Sequence, residues 1–349
     1  MTSNFAQRLI AWQKLHGRQD LPWQGADAYR VWLSEIMLQQ TQVVTVIPYF
    51  HRFVARFPSI AALAAASEEQ VLTYWSGLGY YARGRNLYRA ALIIVEQFGG
   101  EFPRQFEQIL SLPGVGLSTA SAICALAYHE RRAILDGNVR RVLARYSGIE
   151  GWSGNRKVEM QLWRKAEELL PQRDIARYTQ AQMDLGAMLC TRNKPKCSVC
   201  PVSMDCIAFN SGRVGELPTP RPRRTVPERH CTFLLIMSGR DILLEKRSPL
   251  GIWGGLWCLP QLDNGKGCET ELVQRCGFVV SERKDLARIN HSFTHFKLNI
   301  TPVLLRVENN PHRVQQPGSK WVDIEEALYG AIPMPVRKVL KILNSTSTP

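Results

Sequence analysis

Four cysteines in the middle of the chain have a spacing that is typical of a metal centre. They follow the pattern C-x6-C-x2-C-x5-C within residues 190–206: Cys190, Cys197, Cys200 and Cys206. A zinc ribbon usually has two separated CxxC pairs, whereas this segment has one. The uneven spacing suits a [4Fe-4S] cluster, for which four cysteines suffice. The spacing favours the cluster over zinc, and the polar loop around the cysteines disfavours a third interpretation, a set of buried free thiols.

Two carboxylates, Glu35 and Asp136, are candidates for acid–base chemistry. Glu35 lies in an apolar helical pattern with no Lys or Arg one turn away, although a lone Glu on a helix is usually a solvated residue. Asp136 begins the sequence Asp-Gly-Asn-Val-Arg-Arg, which is also typical of an ordinary helix N-cap. Two carboxylates with different pKa values can divide a reaction between proton donation and stabilisation of a cation.

The sequence Leu-Pro-Gly-Val-Gly at residues 112–116 predicts a tight turn between two helices. An apolar segment at 106–110 precedes it, and a long helix is predicted from residue 117. Gly114 and Gly116 allow the backbone to turn tightly and to expose N–H groups at a helix N-terminus, where an anion can bind. The alternative is a plain helix–helix turn. The Asp136 helix and the four-cysteine loop downstream favour phosphate binding.

The charge balance of the chain favours a polyanionic partner. Its 349 residues carry 44 Lys and Arg against 30 Asp and Glu, which gives a net charge of +14. Each phosphate that a basic protein neutralises releases condensed counterions, so this excess suits nucleic acid. The apolar content of 45% excludes wholesale disorder. Neither a signal peptide nor a run of about 18 apolar residues is visible, so we expect a cytoplasmic, nucleoid-associated protein.

Periodicity divides the chain into a helical part and a part with strands. Apolar residues recur at helical spacing from about residue 5 to residue 189, before the cysteine segment. Residues 213–229 contain four prolines and five arginines, which predicts an extended, basic linker. Strand-like segments follow at 231–237, 241–245 and 298–305. We therefore predict a mainly α domain over residues 1–212, the linker, and an α+β domain over residues 230–349.

The motifs resemble those of the endonuclease III, or helix-hairpin-helix, superfamily. The resemblance rests on the Leu-Pro-Gly-Val-Gly turn, on Asp136 twenty residues after Gly116, and on the four-cysteine spacing. Four further segments resemble MutY-type adenine DNA glycosylases: WLSEIMLQQTQV at 32–43, GLGYYAR at 77–83, LDGNVRRVLAR at 135–145 and SFTHF at 292–296. The resemblance covers essentially the whole chain and implies a helix-hairpin-helix glycosylase fold with an iron–sulfur loop at 190–206.

The resemblance also implies a reaction, the hydrolysis of the N-glycosidic bond of adenine mispaired with 8-oxoguanine or guanine. Glu35 matches the general acid that protonates adenine N7. Asp136, with Asn138 beside it, matches the group that stabilises the sugar cation or a covalent sugar intermediate. Members that also cut the strand carry a Schiff-base lysine where this chain has Ser118. We therefore expect a monofunctional base-excision-repair enzyme; the alternative is a bifunctional pyrimidine glycosylase with lyase activity.

The resemblance also implies which residues of this chain contact DNA. Adenine must leave the base stack before its glycosidic bond can be reached. Gln40 and Tyr80 match the residues that occupy the resulting gap, and Thr41 matches a contact near the opposite base. The resemblance assigns Gly114, Gly116 and Ser118 to DNA binding at the hairpin. It assigns four residues to the adenine pocket: Arg18, Trp23, Leu38 and Gln180.

Residues 230–349 resemble a Nudix-type α+β domain that has lost its hydrolytic chemistry. The segments at 254–261 and 271–278 match the Nudix signature, but Gln261, Gln274 and Arg275 replace its metal-binding glutamates. This replacement favours a binding role. The family's contact to 8-oxoguanine matches Phe293, Thr294 and His295, with Thr294 in place of the usual serine.

Two alternatives come from other functional classes. A non-enzymatic DNA-binding scaffold would not need Glu35 and Asp136 together. An active Nudix pyrophosphatase fused to a DNA-binding domain would need the missing glutamates. We expect the protein to be a monomer that holds a [4Fe-4S] cluster and binds double-stranded DNA containing A:8-oxoG or A:G mispairs.

Overall fold

The computed structural model describes residues 2–222, 225–263, 277–308 and 318–346. Contacts divide the chain into two units. The first unit consists of Met1–Ala65 and Asn86–Arg223, and the second of Ala66–Arg85 and Arg224–Pro349. The second unit therefore includes a segment from the N-terminal half of the chain.

The first unit is helical, as the periodicity of the sequence predicts. In chain order the helices over residues 2–210 are α1 (Thr2–His16), α2 (Ala28–Leu38), α3 (Val43–Arg56), α4 (Ile60–Ala64), α5 (Glu68–Trp75), α6 (Tyr81–Phe98), α7 (Phe106–Ser111), α8 (Leu117–Tyr128), α9 (Gly137–Tyr146), α10 (Arg156–Glu168), α11 (Ile175–Asp184) and α12 (Ile207–Asn210). A π-helical turn at Leu185–Leu189 and 3-10 turns at Cys197–Val199 and Ser203–Asp205 lie between α11 and α12. Helix α5 belongs to the second unit, and α6 is shared by both. None of the helices in the described ranges is long and apolar enough to cross a membrane.

Helices α2 and α8 pack against each other in the first unit and set the orientation of the polar residues on α2. Asp27 caps the N-terminus of α2 by accepting a hydrogen bond from Arg30 N. Trp32 and Met37 are buried on α2, and α8 contributes small buried residues such as Ala122. Burying a side chain of the size of Met contributes about 1.5–3 kcal/mol. This packing fixes the rotation of α2 and therefore the direction of its single carboxylate.

The described part of the second unit is built on an eight-stranded mixed sheet. Its strands are β1 (Glu228–Ser238), β2 (Asp241–Lys246), β3 (Trp257–Cys258), β4 (Gln261–Asp263), β5 (Val280–Asp285), β6 (Ile289–Ser292), β7 (Lys297–Val307) and β8 (Ser319–Asp323). The main path is β3-β2-β1-β7-β5, and β4, β6 and β8 pair with β1, β7 and β2 respectively. Strands β1 and β7 run parallel, whereas the other named pairs are antiparallel. The strands predicted at 231–237, 241–245 and 298–305 are confirmed.

Two helices follow the sheet in the chain, α13 (Ile324–Tyr329) and α14 (Met334–Thr346). Strand β1 is buried continuously from Phe233 to Met237, which explains why its sequence is an uninterrupted apolar run. Its neighbour β7 contributes buried Leu305 to the same core cluster. The predicted order of a mainly α part followed by an α+β part is therefore confirmed.

The segment predicted as a linker begins with residues attached to the first unit. The carbonyl oxygen of buried Leu217 accepts a hydrogen bond from Arg145 Nε at 2.7 Å. Thr219 Oγ1 accepts one from Gly151 N at 2.9 Å. Strand β1 begins at Glu228, two residues before the predicted start of the second domain at 230. The domain boundaries 1–212, 213–229 and 230–349 stay a prediction.

Candidate active site

A cavity of about 620 Å³ in the first unit brings together all three predicted catalytic residues. Its walls come from α2, α8, the start of α9 and the π-helical turn. The predicted residues that line it are Arg18, Glu35, Leu38, Thr41, Ser118, Asp136 and Asn138. The two candidate carboxylates therefore face one space, although they are far apart in the sequence.

Glu35 lies in the last turn of α2 and is half-buried. Burial raises the pKa of its carboxyl group to about 8, and the negative charge of Asp136 contributes to the rise. Removal from water disfavours the ionised form, so the group keeps its proton at neutral pH. A carboxylic acid with this pKa can act as a proton donor near neutral pH.

Asp136 is the N-cap of α9, as its sequence context predicts. Its Oδ1 accepts a hydrogen bond from Val139 N at 2.7 Å, and its Oδ2 accepts a longer one from Asn138 Nδ2 at 3.5 Å. Burial raises the pKa of Asp136, whereas these hydrogen bonds and the charge of Arg141 oppose the rise. Capping leaves Oδ2 only weakly bound, so that oxygen can face a reacting group.

Ser118 fixes the backbone just before Asp136. Its Oγ accepts a hydrogen bond from Leu135 N at 3.0 Å, and its side chain also lines the cavity. The position carries a hydroxyl and no amine, so it cannot form a Schiff base. Ser118 therefore provides no Schiff-base amine, and its hydrogen bond to Leu135 helps to position Asp136.

Arg141, which the sequence analysis did not single out, connects the carboxylate site to the cysteine loop. Its Nη2 donates to Asn138 Oδ1 at 2.9 Å and to the Gly186 carbonyl at 2.7 Å. Its Nε donates to the Cys190 carbonyl at 2.7 Å. The i, i+3 spacing from Asn138 was the available sequence signal. The guanidinium group holds Asn138 and therefore stabilises the arrangement around Asp136.

The four predicted metal ligands line one small cavity of about 30 Å³: Cys190, Cys197, Cys200 and Cys206. Buried Arg145 lies beside them, with Nη1 3.4 Å from Cys190 Sγ and 2.7 Å from the Thr191 carbonyl. Within the described ranges, no group of three or more His, Cys, Asp or Glu side chains is placed to hold a single metal ion. Four soft thiols beside an arginine and around one cavity suit a thiolate-bound metal or an iron–sulfur cluster.

Arg18 is held by Asp184, a fully buried residue that the sequence analysis missed. Asp184 Oδ1 accepts hydrogen bonds from Arg18 Nε and Gln180 Nε2, both at 2.8 Å, and Oδ2 accepts one from Arg18 N at 3.0 Å. Gln180 and Trp23 do not line the first cavity; they line a second one of about 760 Å³. Asp184 therefore links the predicted adenine-pocket residues of two neighbouring cavities. Its i, i+4 spacing from Gln180 was the only sequence signal.

The hairpin between α7 and α8 depends on one of its two glycines. Gly114 has a φ of +80°, and a Cβ atom there would lie 2.9 Å from Asn86 Cβ. Gly116 does not have a positive φ, and nothing lies within 4 Å of where its Cβ would be. The backbone therefore requires glycine at residue 114, whereas Gly116 is the N-cap of α8 and leaves the space around it open. Gly116 and Ser118 instead line an open cavity of about 560 Å³ at the N-terminus of α8, with Arg140 and Arg156 in its wall.

The two predicted wedge residues, Gln40 and Tyr80, have left-handed backbone conformations. Their φ angles are +59° and +49°. Such a conformation costs a non-glycine residue about 1–2 kcal/mol and is often found at functional sites. Gln40, in the first unit, is exposed, and Tyr80, in the second, is 48% exposed. Both side chains are therefore accessible to a DNA duplex.

The predicted 8-oxoguanine loop forms the tip of the hairpin between β6 and β7. Phe293 N donates a hydrogen bond to the Phe296 carbonyl at 2.9 Å, and the two rings stack with centroids 4.6 Å apart. The Phe293 ring also packs 5.5 Å from that of Trp253. Thr294 and His295 are exposed. The aromatic pair anchors the tip and leaves these two polar side chains open to a ligand.

Of the three positions predicted to have lost Nudix glutamates, only Gln261 is described. It lies in β4, and its buried Oε1 has no hydrogen-bond partner in the described residues. Gln274 and Arg275 lie outside the described residues. The prediction that the hydrolytic chemistry is lost therefore rests on the sequence at those two positions.

Two family descriptions match this chain. Residues 33–168 match the HhH-GPD superfamily of base excision DNA repair proteins, and residues 231–342 match the NUDIX domain. The first range contains Glu35, Ser118 and Asp136. The second contains the β6–β7 hairpin tip.

Adenine DNA glycosylases match over nearly the whole chain. The adenine DNA glycosylase of Buchnera aphidicola subsp. Acyrthosiphon pisum is 37% identical over 97% of this chain and 97% of its own length. Those of Mus musculus and Homo sapiens are each 33% identical over 97% of this chain, and over 77% and 73% of their own lengths. The chain belongs to the adenine DNA glycosylase family. The predicted MutY-type resemblance is confirmed, and the enzyme is a DNA glycosylase of base excision repair.

Solved structures support the fold of the glycosylase part. A thermostable thymine-DNA glycosylase is 28% identical, with a TM-score of 0.55 over 60% of this chain and 97% of its own. Endonuclease III in a trapped covalent complex with DNA is 18% identical, with a TM-score of 0.52 over 61% of this chain and 98% of its own. At that identity the second likeness shows the fold alone, which agrees with the predicted helix-hairpin-helix architecture.

Proposed function

We propose that this adenine DNA glycosylase removes adenine mispaired with 8-oxoguanine or guanine in duplex DNA. The observation that carries the proposal is the Glu35 carboxyl group, which shares a cavity with Asp136 and has a pKa of about 8. A group that stays protonated at neutral pH suits the protonation of a leaving purine. The relatives named adenine DNA glycosylases support adenine as the base.

In the proposed reaction, Glu35 donates its proton to adenine N7 while the bond between sugar C1′ and adenine N9 breaks. The bonding electrons leave with the base, and the sugar becomes an oxocarbenium-like cation. The Asp136 carboxylate stabilises this cation by charge or by a transient covalent bond to the sugar. Water then adds to C1′ and returns a proton to Glu35, which leaves an abasic site. Asn138 and Arg141 hold Asp136 in place through the hydrogen bonds described above.

The proposed reaction is monofunctional, because Ser118 provides no amine for a Schiff base. The alternative of a bifunctional pyrimidine glycosylase and lyase is disfavoured by this serine. It is also disfavoured by the Nudix-like domain, which we assign to recognition of the opposite base. Strand scission should therefore need added base or heat after adenine has been removed.

Base extrusion precedes the chemistry in this proposal. Adenine leaves the stack and enters the space around Glu35, where Arg18 and Leu38 line the wall. Trp23 and Gln180 contribute to the adenine pocket from the neighbouring cavity. The exposed wedge residues Gln40 and Tyr80 occupy the gap in the duplex, and Thr41 contacts the opposite base. The α7–α8 hairpin at Gly114, Gly116 and Ser118 binds phosphate.

We assign recognition of 8-oxoguanine to the tip of the β6–β7 hairpin. Compared with guanine, this base carries an additional carbonyl oxygen at C8 and a proton at N7. The exposed Thr294 hydroxyl can both donate and accept, and the His295 imidazole can do either according to its tautomer. Phe293 anchors the loop through its ring contacts with Trp253 and Phe296.

The four cysteines are proposed to hold a [4Fe-4S] cluster with a structural role. When bound, the cluster would tie the loop at 190–206 together and would supply no chemistry to the hydrolysis. Arg145 would offset the negative charge of the thiolates and fix the loop backbone. The same loop carries Arg192, Lys194 and Lys196, which suit contacts to DNA phosphate.

The test of the proposed function is Glu35→Gln, which keeps the shape of the side chain and removes its proton. Single-turnover excision from an A:8-oxoG duplex should fall by about 10²- to 10⁴-fold, the typical contribution of general acid catalysis, while duplex binding persists. Glu101→Gln, a change at an exposed residue, is the matched control. Substrates with A:G, A:C and thymine glycol in parallel would separate the alternatives. Near-normal excision by Glu35→Gln, or a preference for thymine glycol, would contradict the proposal.

A further inference from the structure

The second unit contains a segment from the N-terminal half of the chain, residues 66–85, and Tyr80 lies within it. Helix α5 in this segment is anchored through Glu69. Its carboxylate accepts hydrogen bonds from Lys246 Nζ at 2.9 Å and from Trp257 Nε1 at 2.6 Å. Trp75, at the end of α5, is fully buried. The wedge loop, which we define as residues 76–81, therefore starts from a fixed helix end.

Ser76, at the start of the wedge loop, is bound to the segment between α13 and α14. Its buried hydroxyl donates to the Ile332 carbonyl at 3.1 Å and accepts from Arg337 Nη2 at 2.8 Å. Arg337 also donates to the carbonyls of Gly330, at 3.1 Å, and of Leu328. One guanidinium group thus holds the α13–α14 connection and the first residue of the wedge loop together.

Tyr81, at the end of the wedge loop, is bound to the same carbonyl. Its hydroxyl donates to Ile332 O at 3.3 Å and accepts from Gly77 N at 3.4 Å. The ring of Tyr81 is buried, whereas that of the preceding Tyr80 is about half exposed. Both ends of the wedge loop are therefore attached to Ile332, although that residue lies far away in the sequence.

The residues between these two attachments have little conformational preference of their own. Gly77 and Gly79 both have positive φ angles, of +100° and +78°. Glycine can adopt many other backbone conformations, and fixing one costs it more entropy than any other residue. Tyr80 has a positive φ as well, which is unfavourable for a residue with a side chain. Local hydrogen bonds hold the Tyr80 backbone, from Arg83 N to the Tyr80 carbonyl at 2.8 Å and from Trp75 Nε1 to the Gly79 carbonyl at 3.1 Å. The bonds to Ile332 add a restraint at each end of the loop.

We propose that Ser76, Tyr81 and Arg337 are positioning residues that hold Tyr80 ready to enter the DNA base stack. On this view the Nudix-like domain prepares extrusion of adenine as well as recognising the opposite base. The inference rests on the proposed wedge role of Tyr80. It adds that the wedge depends on hydrogen bonds made by residues 328–337.

Tyr81→Phe tests the inference in the full-length protein, because it removes the hydroxyl and keeps the buried ring. A 2-aminopurine next to the mispaired adenine reports unstacking by its fluorescence, and single-turnover excision is followed on the same duplex. We expect both rates to fall about five-fold, the effect of losing one uncharged hydrogen bond. The matched control is Tyr128→Phe, which removes a hydroxyl bonded to the carbonyls of Phe102 and Pro103. It should leave both rates unchanged while lowering the thermal midpoint as much as Tyr81→Phe does.

A double-mutant cycle with Tyr80→Ala separates positioning from general stability. If the Tyr81 hydroxyl acts through Tyr80, then Tyr81→Phe should cause no further loss in the Tyr80→Ala background. Ser76→Ala and Arg337→Lys should behave in the same way. Unchanged rates in Tyr81→Phe, or losses that multiply in the double variant, would overturn the inference and leave the wedge role intact. A Tyr80→Ala protein with normal unstacking would overturn the wedge role itself, and the inference with it.

Discussion

The two carboxylates of the site differ in what surrounds their oxygens. Asp136 accepts hydrogen bonds from Val139 and Asn138, and these stabilise its ionised form. For Glu35, burial and the charge of Asp136 both raise the pKa. Environments that separate the pKa values of two acids allow one to donate a proton while the other carries charge. Both side chains end in a carboxyl group, so the difference between their pKa values comes from the surrounding backbone and side chains.

This difference predicts how excision depends on pH. The acid form of Glu35 is present below its pKa of about 8, so single-turnover excision should fall as pH rises through that value. Protonation of Asp136 should cause a second loss of activity at low pH. Because burial raises the pKa of Asp136, this loss should begin at a higher pH than the titration of an ordinary Asp would give. The two groups interact, so the apparent values belong to the pair. Rates measured between about pH 5 and pH 10, with duplex binding as the control, provide the test. A rate that stays level across pH 8 would contradict it.

At the scale of elements, the two glycines of the α7–α8 hairpin are expected to differ: Gly114 should matter for stability and Gly116 for DNA binding. Gly114→Ala should lower the free energy of unfolding by about 1–2 kcal/mol, because alanine is strained at positive φ and its Cβ would meet Asn86. Gly116→Ala should change stability by no more than about 0.5 kcal/mol. It should instead weaken duplex binding, since the new methyl group occupies the proposed phosphate site. Chemical denaturation and DNA titration of the pair provide the measurements. Equal losses of stability in both variants would be inconsistent with the geometry.

The cysteine loop is expected to carry iron. Purified protein should be yellow-brown and contain about four iron atoms per chain, because four cysteines can hold one [4Fe-4S] cluster. Cys197→Ala should reduce the iron content and the visible absorbance. Cys124→Ala, at a buried cysteine outside the loop, should leave both unchanged. Stoichiometric zinc without iron in anaerobically prepared protein would contradict the assignment.

Local patterns identified the elements of the fold well, and they failed where contacts are distant in sequence. The apolar run of β1 and the Asp136 N-cap are local features, and both were predicted. Arg141 and Asp184 were not, because a charged residue in a helix looks like a solvated one until its partners are known. The predicted domain boundaries also gave no indication that α5 belongs to the second unit.

For the whole molecule, recognition of the opposite base should be separable from chemistry. Thr294→Ala combined with His295→Ala should remove the one or two hydrogen bonds that we propose to form only when the opposite base carries the additional oxygen, worth about 1–3 kcal/mol. Affinity and excision should fall mainly on A:8-oxoG duplexes and much less on A:G, so the preference between them narrows. Ser292→Ala, at an exposed neighbour in β6, is the control. Equal losses on both substrates would show that the hairpin tip only clamps DNA.

Point substitutions are preferable to deletion of the C-terminal domain for this purpose. A chain that ends near residue 212 would keep Glu35, Asp136 and the cysteine loop. It would, however, remove the residues that bind Glu69, Ser76 and Tyr81. Loss of activity in such a chain would mix two effects, the missing 8-oxoguanine contact and a released wedge loop.

The interleaved order of the two units has a consequence for synthesis on the ribosome. Ser76 leaves the ribosome 256 residues before its hydrogen-bond partner Ile332. At translation rates of about 5–20 residues per second, this delay lasts on the order of 10–50 seconds. During that time the first unit can complete its fold, while the Glu69 carboxylate on α5 still lacks its partners Lys246 on β2 and Trp257 on β3. The nascent chain can therefore place its predicted general acid, Glu35, before the hydrogen bonds that hold the wedge loop can form.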